Sequence, residues 1–125
     1  MSTVRPHQRE SAVDREIDNF VSQLIEMDLI DSEEDADLSE FAKNAVSATY
    51  GKDKRYGQEE HSLPGTSKEL KAVGVAAVYF IIKNSDQPNE MTLFYTSNIA
   101  GLPMYCIEQH YDKILSKYND LAKKK

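Results

Sequence analysis

The sequence predicts an α+β fold: a small single domain in which two N-terminal helices and a C-terminal helix pack on an antiparallel β-hairpin. Both ends of the chain repeat apolar side chains at helical spacing, as amphipathic helices do. An uncharged run of eleven residues, 72–82, is rich in β-branched and aromatic side chains, which favour strands. A turn-rich segment and a shorter alternating run follow it, which is typical of a hairpin.

Three helices are predicted from apolar stripes at helical spacing. The first covers 12–28, and its stripe is Val13, Ile17, Phe20, Val21, Leu24 and Ile25. The second covers 38–50 and ends at Gly51, with an inward face of Leu38, Phe41, Ala42, Ala45 and Val46. The last begins at Pro103 and ends near 123, with a buried stripe of Met104, Ile107, Tyr111, Ile114, Leu115, Tyr118 and Leu121.

The central run 72–82 allows two interpretations. A helix is indicated by the capping-box spacing of Thr66 and Glu69 and by apolar residues at helical spacing. A strand is indicated by composition, and Gly74 would weaken a helix by roughly 1 kcal/mol relative to alanine. Pro88 lies in a turn-rich segment, after which Met91–Thr96 alternates. We therefore predict a strand, a loop and a second strand, with the helix as the alternative.

The domain organisation follows from where apolar residues are absent. Residues 1–10 are predicted to be a flexible N-terminal arm, and 11–125 to be one α+β domain. A chain of 125 residues is long enough for a single hydrophobic core. Within it, 52–65 is predicted to be a long polar loop.

Charge and cysteine content limit the classes of function. The net charge is −6, and residues 10–40 contain twelve acidic side chains and one basic side chain. Such a segment repels nucleic acid and favours another protein with a basic surface as partner. The single cysteine excludes an intrachain disulfide, and no secretory leader is visible, so we predict a cytoplasmic protein. The central run is too short to span a membrane.

The predicted partner-binding residues lie in and beside the acidic connector between the first two helices. They are Glu26, Asp28, Asp31, Glu33, Glu34, Asp35, Asp37 and Glu40, with Tyr56 in the polar loop as an aromatic anchor. A solvated acidic face is the ordinary explanation of such a charge run. The functional interpretation is that it docks on a basic groove.

Metal and catalytic sites are weaker interpretations. The connector resembles a calcium loop in spacing, but Ala36 stands where the sharp turn needs glycine and Ala42 where a bidentate glutamate is needed. Cys106 and His110 could form a nucleophile and base, or two ligands of a metal completed by Glu60 and His61, although a buried Cys106 with His110 at the helix surface is the simpler interpretation. Glu59, Glu60 and His61 together offer an acid, a base and a metal ligand, and a solvated loop is again the simpler interpretation. We therefore predict no metal, no cofactor and no enzyme.

The function predicted from these observations is a non-enzymatic acidic protein-binding domain. It would be an inhibitor or adaptor of the immunity, antitoxin or anti-defence type, a small regulatory protein that docks through the 26–40 region. One alternative is a dimeric acidic chaperone of a secreted protein, with a homodimer formed through the hairpin edge. Another is a small enzyme that uses Cys106 and His110.

Overall fold

The computed structural model describes residues 4–5, 8–31, 35–50, 63–84 and 91–123, without the side chains of 35–36 and 119–123. The described residues form five helices: α1 (Arg9–Glu26), α2 (Asp35–Thr49), α3 (Ser67–Lys83), α4 (Leu93–Ala100) and α5 (Met104–Lys123). No β-strand occurs among them, so the fold is all-α and the predicted α+β class is wrong.

The helices predicted from amphipathic stripes are present. The apolar stripe of α1 is buried at Val13, Ile17, Phe20, Val21 and Leu24. In α2 the residues Leu38, Ala42, Ala45 and Val46 are buried, and in α5 Ile107 and Ile114 are fully buried. Phe41 and Met104 were predicted to face inward, and both are instead exposed. Phe41 lies at the edge of the inward face of α2, and Met104 is the first residue of α5.

The predicted strand at 72–82 is wrong, because these residues lie inside α3. The helix begins with the capping residues noted in the sequence: the Thr66 hydroxyl accepts a hydrogen bond from the Glu69 amide at 3.4 Å. At its other end, the Asn84 side chain donates to the Phe80 carbonyl oxygen at 2.8 Å. The alternative interpretation, a helix, is the one that the structure supports.

The position of α3 in the fold explains why its sequence resembles a strand. It is the central helix and packs against each of the other four. Its buried residues therefore surround it: Leu70, Ala72, Val73, Gly74, Val75, Ala76, Ala77, Val78, Tyr79, Phe80 and Ile82. A helix covered on all sides has no polar face, so the helical period is absent from its sequence.

Gly74 allows α3 to approach α1 closely. A Cβ atom added at this glycine would lie 3.3 Å from the Ile17 backbone nitrogen and 3.3 Å from the Glu16 Cβ. Gly74 disfavours a helix by its propensity, but here it lets α1 pack closely against α3.

The second predicted strand is also wrong, because Leu93–Ala100 forms α4. Thr92 caps this helix by accepting a hydrogen bond from the Tyr95 amide at 3.0 Å. Gly101 ends it in the left-handed conformation, with φ of 70°. The alternating apolar pattern over 91–96 thus lies across a helix cap and a first turn.

Three further predictions depend on these regions. A homodimer through the hairpin edge loses its basis, since no strand edge exists in the described part of the chain. The predicted loop 52–65 lies mostly outside the described residues. In the predicted arm, the Val4 amide donates to the Gly65 carbonyl oxygen at 2.9 Å, and α1 begins at Arg9.

Among the described helices, none has the length and apolar character needed to cross a bilayer.

Candidate docking surface

The acidic segment is placed where α1 ends and α2 begins. Lys43 of α2 lies 3.0 Å from one carboxylate oxygen of Asp18 in α1 and 3.1 Å from the other. Asp18 is eight residues from the end of α1, and Lys43 is eight residues from the start of α2. The two helices therefore run antiparallel, and their ends at Glu26 and Asp35 lie at the same end of the fold.

The turn after α1 is a Schellman motif formed around an aspartate. The Asp28 amide donates to the Ile25 carbonyl oxygen at 3.0 Å, and the Leu29 amide donates to the Leu24 carbonyl oxygen at 2.9 Å. Asp28 has φ of 57°, the left-handed conformation that glycine usually supplies and that aspartate tolerates. Leu29 packs against the core, a contact that frequently accompanies this motif. The turn holds the Asp28 carboxylate in solvent.

Five of the predicted binding residues are described with their side chains, and all five are exposed. They are Glu26, Asp28, Asp31, Asp37 and Glu40. None of the five forms an ion pair with a basic side chain in the described part of the chain. Glu33, Glu34, the Asp35 side chain and Tyr56 lie outside the described residues. Two exposed apolar side chains, Met27 and Phe41, lie next to these residues in the sequence. We call the five carboxylates together with Met27 and Phe41 the acidic surface.

Helix dipoles separate these carboxylates into two groups. Asp37 lies in the first turn of α2, where a negative charge is favourable. Glu26 is the last residue of α1, whose last turn contains no basic residue. A negative charge is unfavourable at that end of a helix. Folding stability therefore explains Asp37 and does not explain Glu26.

Two apolar side chains are exposed among the carboxylates. Met27, between Glu26 and Asp28, is 44% exposed, and Phe41, beside Glu40, is 56% exposed. Phe41 also follows Asp37 by four residues, so the two share one side of α2. Sequence reasoning placed Phe41 in the core and did not identify Met27. Helical spacing from Asp37 was the one signal that pointed to an exposed Phe41.

A second group of functional side chains lies inside the fold. The Tyr50 hydroxyl oxygen and Nδ1 of His110 are 2.7 Å apart, and both residues are buried. The predicted surface position of His110 is therefore wrong. His110 is three residues after Ile107 and four before Ile114, so helical spacing places it on the buried stripe.

Burial changes the protonation of this pair. Desolvation lowers the pKa of His110 to about 4, with a smaller effect of Lys113 in the same direction. Desolvation also raises the pKa of Tyr50, so both groups are neutral at pH 7. In the described part of the chain, Nε2 of His110 has no hydrogen-bond partner.

Metal binding finds no support among the described residues. No group of three or more His, Cys, Asp or Glu side chains there could hold a metal ion. Cys106 is a buried free thiol, as the simpler interpretation predicts. Glu59, Glu60 and His61 lie outside the described residues.

The chain matches no protein family, no curated protein and no solved structure.

Proposed function

We propose that this chain is a non-enzymatic binding protein, an inhibitor or adaptor that docks on a basic protein surface through the acidic surface. The observation that carries the proposal is the combination of five exposed carboxylates, which form no ion pair within the described part of the chain, with two exposed apolar side chains at one end of an antiparallel helix pair. A solvated face requires the carboxylates alone. An interface also requires apolar anchors, which supply much of the affinity of protein complexes.

The two components have different roles in the proposed complex. The carboxylates attract a basic partner over distances of about 8–10 Å and raise the association rate, an effect that salt screens. Phe41 and Met27 become buried in the complex and slow its dissociation. Glu26 at the unfavourable end of α1 fits this division, because its cost to the free protein is recovered on binding a cation.

The proposed compartment is the cytoplasm. Cys106 is a buried free thiol, which is compatible with a reducing environment. The partner of the proposed complex is a single protein with a basic groove, and a homodimer is not part of the proposal.

Site-specific photo-crosslinking tests the proposal. A photoreactive phenylalanine analogue is placed at Phe41 in one variant and at Tyr105, which is 69% exposed on α5, in a matched control. We expect cells that make the protein naturally to give one specific crosslinked protein with a basic surface from Phe41 and none from Tyr105. Neutralising Glu26, Asp31 and Glu40 should abolish that product. The same product from both positions, or a product that the neutralised variant retains, contradicts the proposal.

A further inference from the structure

A cleft of about 780 Å³ lies between α1 and the beginning of α3, on residues that the acidic surface does not use. Among the described residues, three cationic side chains line it: Arg15, Lys68 and Lys71. Glu16 is the one carboxylate among these described lining residues. The chain has a net charge of −6, whereas the described lining of this cleft is net positive. Its volume is in the range of small-molecule sites.

The cleft lies beside the N-terminal ends of two parallel helices. The Val4 amide bonds to Gly65 just before both helices begin, and further along Ile17 meets Gly74. The two helices therefore run in the same direction, and the positive ends of their dipoles lie together. In the described part of the chain, no side chain caps the start of α1 at Gln8, which lines the cleft. Glu10 and Glu69 occupy the first turns but do not line it.

Lys68 is placed where folding alone disfavours a cation. Lys68 is in the first turn of α3, and Lys71 follows it by three residues on the same side of the helix. Positive charges near the positive end of a helix repel its dipole, and Arg15 adds a third charge to the same cleft. A bound anion relieves this repulsion. Ser11 and Ser67 contribute hydroxyl groups to the lining, and Val4, Ala12, Leu70 and Leu102 contribute apolar surface.

We propose that this cleft binds a small organic phosphate. The phosphate group is held by Arg15, Lys68 and Lys71 in the cleft, and the organic group packs on Leu70 and Leu102. A phosphate is favoured over a carboxylate because three cations and the start of α1 suit a dianion with several acceptor oxygens. This site is independent of the acidic surface, so its failure leaves the proposed function unaffected.

Phenyl phosphate is the probe, and amide chemical shifts in two-dimensional NMR spectra of the full chain are the readout. We expect saturable shifts at Ser11 and Lys68 with a Kd of about 1 mM or below. The variant with Lys68→Gln and Lys71→Gln should weaken binding by about tenfold or more. Lys83→Gln with Lys117→Gln removes two cations outside the cleft and should leave the Kd unchanged.

Three comparison ligands make the test specific. Benzoate lacks the second negative charge of phenyl phosphate. Phenol is uncharged at neutral pH, and inorganic phosphate lacks the organic group. Each should bind more weakly than phenyl phosphate. The absence of saturable shifts overturns the proposal, as does equal weakening by the two double variants. Equal affinity for any of the three comparison ligands overturns it as well.

Discussion

The hydroxyl oxygen of Tyr50, the residue that follows α2, lies 2.7 Å from Nδ1 of His110 in α5, and this hydrogen bond lies within the core. The two side chains are 5% and 3% exposed, so the bond is shielded from water. A buried polar pair is stable only while its groups are neutral and paired. It therefore makes the stability of the fold sensitive to pH and to the loss of either group.

The first prediction concerns pH. The unfolded chain protonates His110 below about pH 6.5, whereas the folded chain does so only near pH 4. The contribution of neutral His110 is complete above pH 6.5 and is lost as the pH falls to about 4. This loss should be on the order of 3 kcal/mol in the free energy of unfolding. Denaturant unfolding of the wild type and of His110→Gln across this range measures it, because the carboxylates titrate alike in both. A difference between the two proteins that stays constant with pH contradicts the prediction.

The second prediction concerns the partner of His110. Tyr50→Phe removes the hydroxyl and leaves Nδ1 of His110 buried without its hydrogen-bond partner. Nε2 of His110 has no partner among the described residues either, so neither ring nitrogen would then be paired there. We expect the free energy of unfolding to fall by about 1–3 kcal/mol, because a buried polar atom then has no hydrogen bond. Urea unfolding at pH 7 measures the change. Tyr95→Phe, at a half-buried tyrosine in α4, is the control and should be near neutral. Equal effects of the two substitutions would show that the hydrogen bond contributes nothing.

The third prediction concerns Gly74. In an ordinary helix, replacing glycine by alanine stabilises by about 1 kcal/mol. Here the new Cβ meets the Ile17 backbone nitrogen at 3.3 Å, and backbone inside a packed helix cannot move aside easily. We expect Gly74→Ala to lower the free energy of unfolding by about 1 kcal/mol, because overpacking outweighs the gain in propensity. A Tm higher than that of the wild type would show that α1 and α3 are not in this close contact.

The outcome for the central helix shows where sequence reasoning succeeds and where it fails. Helices α1, α2 and α5 each have a polar and an apolar face, so their period is readable in the sequence. For α3 the informative signal was local, since Thr66 and Glu69 are spaced as a cap and act as one. Its β-branched composition reflects burial on every side, which depends on the four other helices and is not encoded locally.

The candidate site was predictable in part. The exposed carboxylates were predictable from the charge run, because twelve acidic side chains with one basic side chain among them cannot all be paired, and unpaired carboxylates stay in solvent. Phe41 was misplaced because its spacing fits the edge of the inward face as well as the outer one. His110 was misplaced because a polar residue was assigned to the surface by type, against the helical spacing that puts it beside Ile107.

The fourth prediction separates folding from function at the helix ends. Glu26→Gln removes a charge from the unfavourable end of α1 and should raise the Tm by about 2 °C at low salt. Asp37→Asn removes a favourable charge from the first turn of α2 and should lower it by a similar amount. Calorimetry at low and high salt checks both, and both changes should shrink as salt is added. A lower Tm for Glu26→Gln would mean that this carboxylate contributes to the fold.

The most direct test of the acidic surface is the rate at which the crosslinked partner associates with a neutralised variant. The variant combines Glu26→Gln, Asp28→Asn, Asp31→Asn and Glu40→Gln, and asparagine at 28 tolerates the left-handed conformation. Its control carries Glu108→Gln and Asp112→Asn, which are exposed on α5. Stopped-flow measurements at low salt should give an association rate reduced by about tenfold or more for the variant, and by much less for the control. Added salt should slow the wild type until the two rates converge. A neutralised variant that associates at the wild-type rate in low salt would show that the acidic surface is only a solvated face.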